Sequence, residues 1–121
     1  MSADIWLGHP HTAMAHFRDS YLNCPLMPAI GLSYWNDINP MLNERSQLPL
    51  ERNAELAAVI RAGLATFDEP DAEARAAAYI DACGSYGTPD YFISIWRHRA
   101  AELLDLLDRS TRHNIPLTMW L

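Results

Sequence analysis

Three histidines follow one another closely near the start of the chain: His9, His11 and His16. An H-x-H step just past a strand end can turn two imidazoles toward one metal ion, and metal-dependent hydrolases use such sites to activate water. Asp4 or Asp19 would add a carboxylate. The competing reading is a polar loop that happens to contain histidines, because H-x-H is a short string and spacing sets no third and fourth ligand. The expectation is therefore no tightly bound metal and no cofactor, with His9, His11 and His16 as the weak candidate ligands.

Nucleophiles are less well placed. Cys24 lies between Asn23 and Pro25 with no evident helix N-terminus to lower its pKa. Ser33, in Gly31-Leu32-Ser33-Tyr34-Trp35, lacks the second glycine of a nucleophile elbow. All nine basic residues are arginine. Without lysine there is no pyridoxal Schiff base, no phosphate-loop lysine and no biotin or lipoyl attachment. The string Gly84 to Pro89 precedes a helix N-terminus, where backbone N–H groups make an anion site. It has neither phosphate-loop nor dinucleotide spacing, and a glycine-capped helix connection also explains it.

The aromatic residues offer more. Tyr34 and Trp35 fall in a Gly/Pro-rich stretch, Tyr86 in a second loop, and Tyr91 at the start of a helix that also carries Arg97. Rings stack on a flat base and a guanidinium forks a phosphate, so Tyr34, Trp35, Tyr86, Tyr91 and Arg97 form a candidate site for a small anionic, nucleotide-like ligand. Burial is the competing use, with Trp35 plugging a core and Tyr91 and Arg97 at its rim.

These side chains need a frame. Asp4-Ile5-Trp6-Leu7 reads as a strand ended by Gly8-His9-Pro10, and Leu117 to Leu121 alternates like a second strand. Residues 12–22 fit a helix, with Met14, Phe17 and Tyr21 on one face, or a strand hairpinned to the first. Residues 24–40 are irregular, with a turn of helix near Tyr34 to Ile38, and Asn39-Pro40 opens a brief helix through Glu44. A helix over 49–67 carries the stripe Leu56, Val59, Ile60, Gly63, Leu64 and Phe67. A second over 70–83 turns Tyr79, Ile80 and Cys83 inward. A third, capped by Thr88-Pro89 and ended by Asn114, presents Phe92, Trp96, Ala100, Leu103 and Leu107. Its outer face offers the pairs Asp105–Arg109 and Asp108–Arg112. The predicted class is α+β: one domain over 1–121, a small sheet that includes both terminal strands, and about three main helices.

Composition narrows function. Half of the 121 residues are hydrophobic, and the net charge is −6. A nucleic-acid binder relies on a basic face, which this chain lacks overall, so no nucleic-acid partner is expected. No stretch reaches the about 20 apolar residues of a membrane span. The start Met1-Ser2-Ala3-Asp4 has no signal-peptide pattern, and Cys24 and Cys83 lack metal-ligand spacing. A cytoplasmic protein with reduced thiols is expected.

Function is read as a non-enzymatic binding protein that sequesters an anionic nucleotide-like ligand or blocks a protein partner. The alternatives are a small metal-dependent hydrolase using the N-terminal histidines and a self-associating interaction module. Trp6 and Trp120 fall off the Ile5/Leu7 and Leu117/Met119/Leu121 faces, so both are expected on the other sheet face, as the interface of a homodimer. The alternative is that residues 12–38 fold back over that face through Phe17, Tyr21 and Ile30.

Overall fold

Alternating apolar residues at the two ends of the chain bring those ends together as neighbouring strands. The computed structural model describes residues 3–19, 31–83 and 87–121. Strand β1 (Ala3–Leu7) buries Ala3, Ile5 and Leu7 on one side. It pairs antiparallel with β2 (His16–Asp19) and, on its other edge, with β4 (Leu117–Trp120). A two-residue strand, β3 (Gln47–Leu48), completes an antiparallel sheet of order β2-β1-β4-β3. The small sheet with both terminal strands is thus present, and the fold is α+β.

The ambiguous residues 12–22 are a hairpin strand as far as they are described. Gly8 supplies the positive φ (101°) at which the chain leaves β1. Leu7 then exchanges backbone hydrogen bonds with Met14 and Ala15. Phe17 falls opposite Ile5 and His16 opposite Trp6. The weak helix preference of Ala13 and Ala15 yields to this cross-strand pairing.

The brief helix expected through Glu44 shortens to one 3₁₀ turn, Asn39–Met41. Asn43 stops it: its Oδ1 accepts the backbone N–H groups of Arg45 (2.9 Å) and Gln47 (3.0 Å). This side-chain turn competes with helix and passes Ser46 at φ 59° into β3, a strand the sequence reading misses.

Three α-helices follow: α1 (Asn53–Ala65), α2 (Ala72–Cys83) and α3 (Pro89–His113). The expected 49–67 helix is α1 flanked by 3₁₀ turns at Leu50–Arg52 and Thr66–Asp68. Thr88 caps α3 by accepting the Tyr91 N–H, and Asn114 closes it in the left-handed region at φ 56°. Helix α3 lies on β1 and β2, and α1 and α2 both pack on α3. The core joins Ile5, Leu7, Phe17, Leu117 and Met119 of the sheet to Leu56, Ile60, Trp96, Ala100, Leu103 and Leu107 of the helices. On the surface of α3, Asp108 pairs with Arg112 at 2.9 Å, whereas Asp105 and Arg109 form no ion pair among the described residues. Among the described residues no helix is long and apolar enough to cross a membrane.

Candidate functional site

Strand alternation sends Asp4, Trp6, His16, Arg18, Thr118 and Trp120 to the sheet face opposite the core. There the cross-strand neighbours touch. The Trp6 ring stacks on His16 with centroids 5.1 Å apart and an interplanar angle of 6°. On its other side Trp6 meets Trp120 edge to face at 4.6 Å and 73°. His16, Trp6 and Trp120 therefore form one aromatic row across β2, β1 and β4. Trp120 remains 54% exposed.

Charged groups border the row. His16 Nε2 lies 2.8 Å from Asp4 Oδ1, and Arg18 Nε lies 3.2 Å from the same oxygen. Asp4 thus meets both the His16 ring and the Arg18 guanidinium of β2, with the His16 ring flat against Trp6. Thr118, buried beside Trp6, donates its hydroxyl to the Gly8 carbonyl at 2.8 Å. From the helix layer, Arg99 donates to the Arg18 carbonyl at 3.0 Å and covers the Phe17 ring, which ties the edge strand β2 to α3.

The candidate metal ligands separate. His9 and His11 stay together in the exposed loop, where the His11 N–H donates to His9 Nδ1 at 3.2 Å. His16 sits on the sheet beside Asp4 and Trp6, and Asp19 is buried on the opposite side of β2. Among the described residues no three metal-ligating side chains converge.

The candidate ligand-binding residues also fall in different places. Tyr34 and Trp35 open a π-type turn, Tyr34–Ile38, locked by reciprocal bonds: Ser33 Oγ accepts the Asn36 N–H and Asp37 Oδ2 accepts the Ser33 N–H. Ser33 is thus a capping residue. Tyr34 packs toward the core while Trp35 is 57% exposed. Tyr91, 60% exposed, meets Phe92 edge-on, and among the described residues no ring contact joins it to Trp35. Arg97 is already paired, at 2.8 Å from Asp68 and 5.6 Å from the centre of the Phe67 ring. Tyr86 and Cys24 lie outside the described residues, as do the Cys83 side chain and, from the fold-back alternative, Tyr21 and Ile30. Phe17, the third residue of that alternative, faces the helix-side core.

The Asp4–His16–Arg18 arrangement escaped the sequence reading, which grouped His16 with His9 and His11. The signal was present as period-two alternation: once His16–Asp19 is a strand, His16 and Arg18 must share a face with Asp4 and Trp6.

A separate acidic contact joins the first turns of α2 and α3. The Glu73 carboxyl is raised above its ordinary value, first by a hydrogen bond to Asp90 and then by that residue's charge. The protonated form is favoured in the fold, so this pair's contribution is present at low pH and lost as pH rises through the raised Glu73 value. We expect carbon-detected NMR titration to find Glu73 above ordinary glutamates, and Asp90→Asn to return it toward them. An unchanged Glu73 titration in that variant would contradict the contact.

Compared with known proteins, the chain matches no family model, no curated protein sequence and no solved structure.

Proposed function

We propose that the protein is a non-catalytic binding module that works through the outer face of its sheet, and that the partner on this face is a second copy of the chain. The observation that carries this reading is the aromatic row His16–Trp6–Trp120, bordered by Asp4 and open on the outside. Tryptophan and arginine supply most of the energy of protein interfaces when they sit in a patch from which water is displaced. A twofold pairing requires a surface that complements itself. This face meets that demand, because the charges of Asp4 and Arg18 offset one another there on a chain of net charge −6. Two acidic copies repel least where acids are balanced by bases. The exposed Arg18 on the edge strand can reach acidic groups of the second copy.

The alternatives have weaker support. A nucleotide-like ligand needs an available guanidinium near the rings, and Arg97 is committed to Asp68. A hydrolytic metal needs ligands that converge, and His16 is turned away from His9 and His11. The reading places the protein in the cytoplasm, where Cys24 and Cys83 remain reduced.

Sedimentation equilibrium tests the proposal. Wild-type protein is expected to form a concentration-dependent dimer. Trp120→Ser should weaken it by about 2 kcal/mol, roughly 30-fold in the dimer dissociation constant. Trp120 is exposed and ends β4, so the variant should keep the wild-type circular dichroism spectrum. A wild-type protein that stays monomeric at millimolar concentration would end this reading.

A further inference from the structure

Strand register puts a cation and an indole at matching places on the outer sheet face. Arg18 of β2 is paired with Asp4 of β1, and Asp4 is paired with Trp120 of β4. Arg18 and Trp120 therefore flank Asp4 at one level of the sheet, each a strand spacing of about 4.8 Å away. Both are open, with the Arg18 side chain 59% exposed and Trp120 54% exposed. Arg18 gives its Nε to Asp4 Oδ1 at 3.2 Å, and among the described residues no second acceptor holds the guanidinium. Trp6, by contrast, is half-buried at the middle of the aromatic row, between His16 and Trp120.

The next step rests on the dimer proposed above. Two sheets that meet face to face with aligned strands have their twofold axis in the plane between them. The axis runs either across the strands or along them. An axis across the strands lays each strand over the same strand of the second copy. The β2 strands then meet, and the cationic side of one face, Arg18 with His16, is set against the cationic side of the other. Like charges brought together in this way cost affinity.

An axis along the strands reverses their order instead. The strongest contacts of an interface cluster near its centre, which puts the axis over β1, the strand that carries Trp6. Strand β2 of one copy then covers β4 of the other. Because Arg18 and Trp120 share a level and lie equally far from β1, the rotation carries Arg18 to the place above Trp120. A guanidinium over an indole face is attracted by the ring quadrupole, more strongly once water has left. Its N–H edge stays free for the carboxylate of Asp4, which adjoins that Trp120. Asp4 itself is recessed, with its side chain 17% exposed and already met by its own His16 and Arg18.

We infer that each Arg18 guanidinium of the dimer lies over the second copy's Trp120, so that two identical cation–π contacts close the interface about an axis along β1.

Mixing two variants of the full chain tests the inference. Arg18→Gln and Trp120→Ser each remove both contacts from their own homodimer. Their heterodimer keeps one contact whole and loses the other from both sides. Native mass spectrometry of an equimolar mixture separates the three dimers by mass. Once the statistical preference for mixed pairs is removed, the heterodimer should bind about five-fold more tightly than the geometric mean of the two homodimers. Arg18→Gln alone should weaken its homodimer by about five-fold for each of its two contacts. Both side chains are exposed, so both variants should keep the wild-type circular dichroism spectrum. A wild-type dimer whose variants mix only statistically would overturn the crossed contact and leave the dimer itself standing. A wild-type chain that stays monomeric would overturn both.

Discussion

A chain cut after Asn114 should fail to fold. Residues 115–121 look dispensable by position, yet β4 lies inside the sheet, between β1 and β3. Leu117 and Met119 are fully buried against the helices. Losing either to alanine would cost about 2–5 kcal/mol. Deletion removes both, together with the β1–β4 and β3–β4 ladders. It also removes the Ile115 carbonyl that holds the Ser110 hydroxyl, which in turn holds Asn53. The combined loss exceeds the roughly 5–15 kcal/mol that keeps a typical domain folded at its lower end. The truncated chain should therefore show no cooperative thermal transition by circular dichroism. A melt at the wild-type temperature would show that β4 contributes little.

Trp96→Ala should be the most damaging single substitution, at about 3–5 kcal/mol. Trp96 is the side chain on which the helical layer converges. Its ring stacks on Phe67 at 5.6 Å and meets Tyr79 at 5.3 Å and Phe92 at 5.7 Å edge to face. Those partners belong to the turn after α1, to α2 and to α3, so truncation opens a cavity shared by all three. Trp96→Phe should behave differently. The indole Nε1–H is buried without an acceptor among the described residues, so removing it relieves a desolvated donor while most of the ring area stays. We expect about 1–2 kcal/mol for Trp96→Phe. Urea unfolding midpoints at constant slope would separate the two. A Phe variant as unstable as the Ala variant would mean that the indole N–H has a partner and matters.

Both effects trace to patterns that are legible along the chain. The stripe Phe92, Trp96, Ala100, Leu103, Leu107 repeats with helical period, and one amphipathic helix is the only regular structure that puts all five on one side. Thr88, Pro89 and Asn114 mark its ends through local hydrogen bonding and backbone preference, which need no tertiary partner. The terminal strands were legible for the same reason: alternation at Ile5/Leu7 and Leu117/Met119 is a local signal.

What stayed hidden depended on pairing between distant residues. That His16–Asp19 became strand rather than helix was decided by an available edge of β1, with Phe17 settling opposite Ile5. Strand β3 is two residues long and exists because Asn43 folds its own backbone back toward β4. No periodicity could reveal it. The grouping of His16 with His9 and His11 followed closeness along the chain, whereas the hairpin register gave His16 to Asp4, twelve residues away.

Local composition and period thus determined the helices, their caps, the terminal strands and the side of the sheet on which Trp6 and Trp120 emerge. Tertiary structure alone decided the strand order, the row His16–Trp6–Trp120 and the hydrogen bond between Asn53 and Ser110. The physical reason is that helix and strand preferences are properties of adjacent residues, while register and hydrogen-bond direction are settled between segments only when the core closes and water leaves.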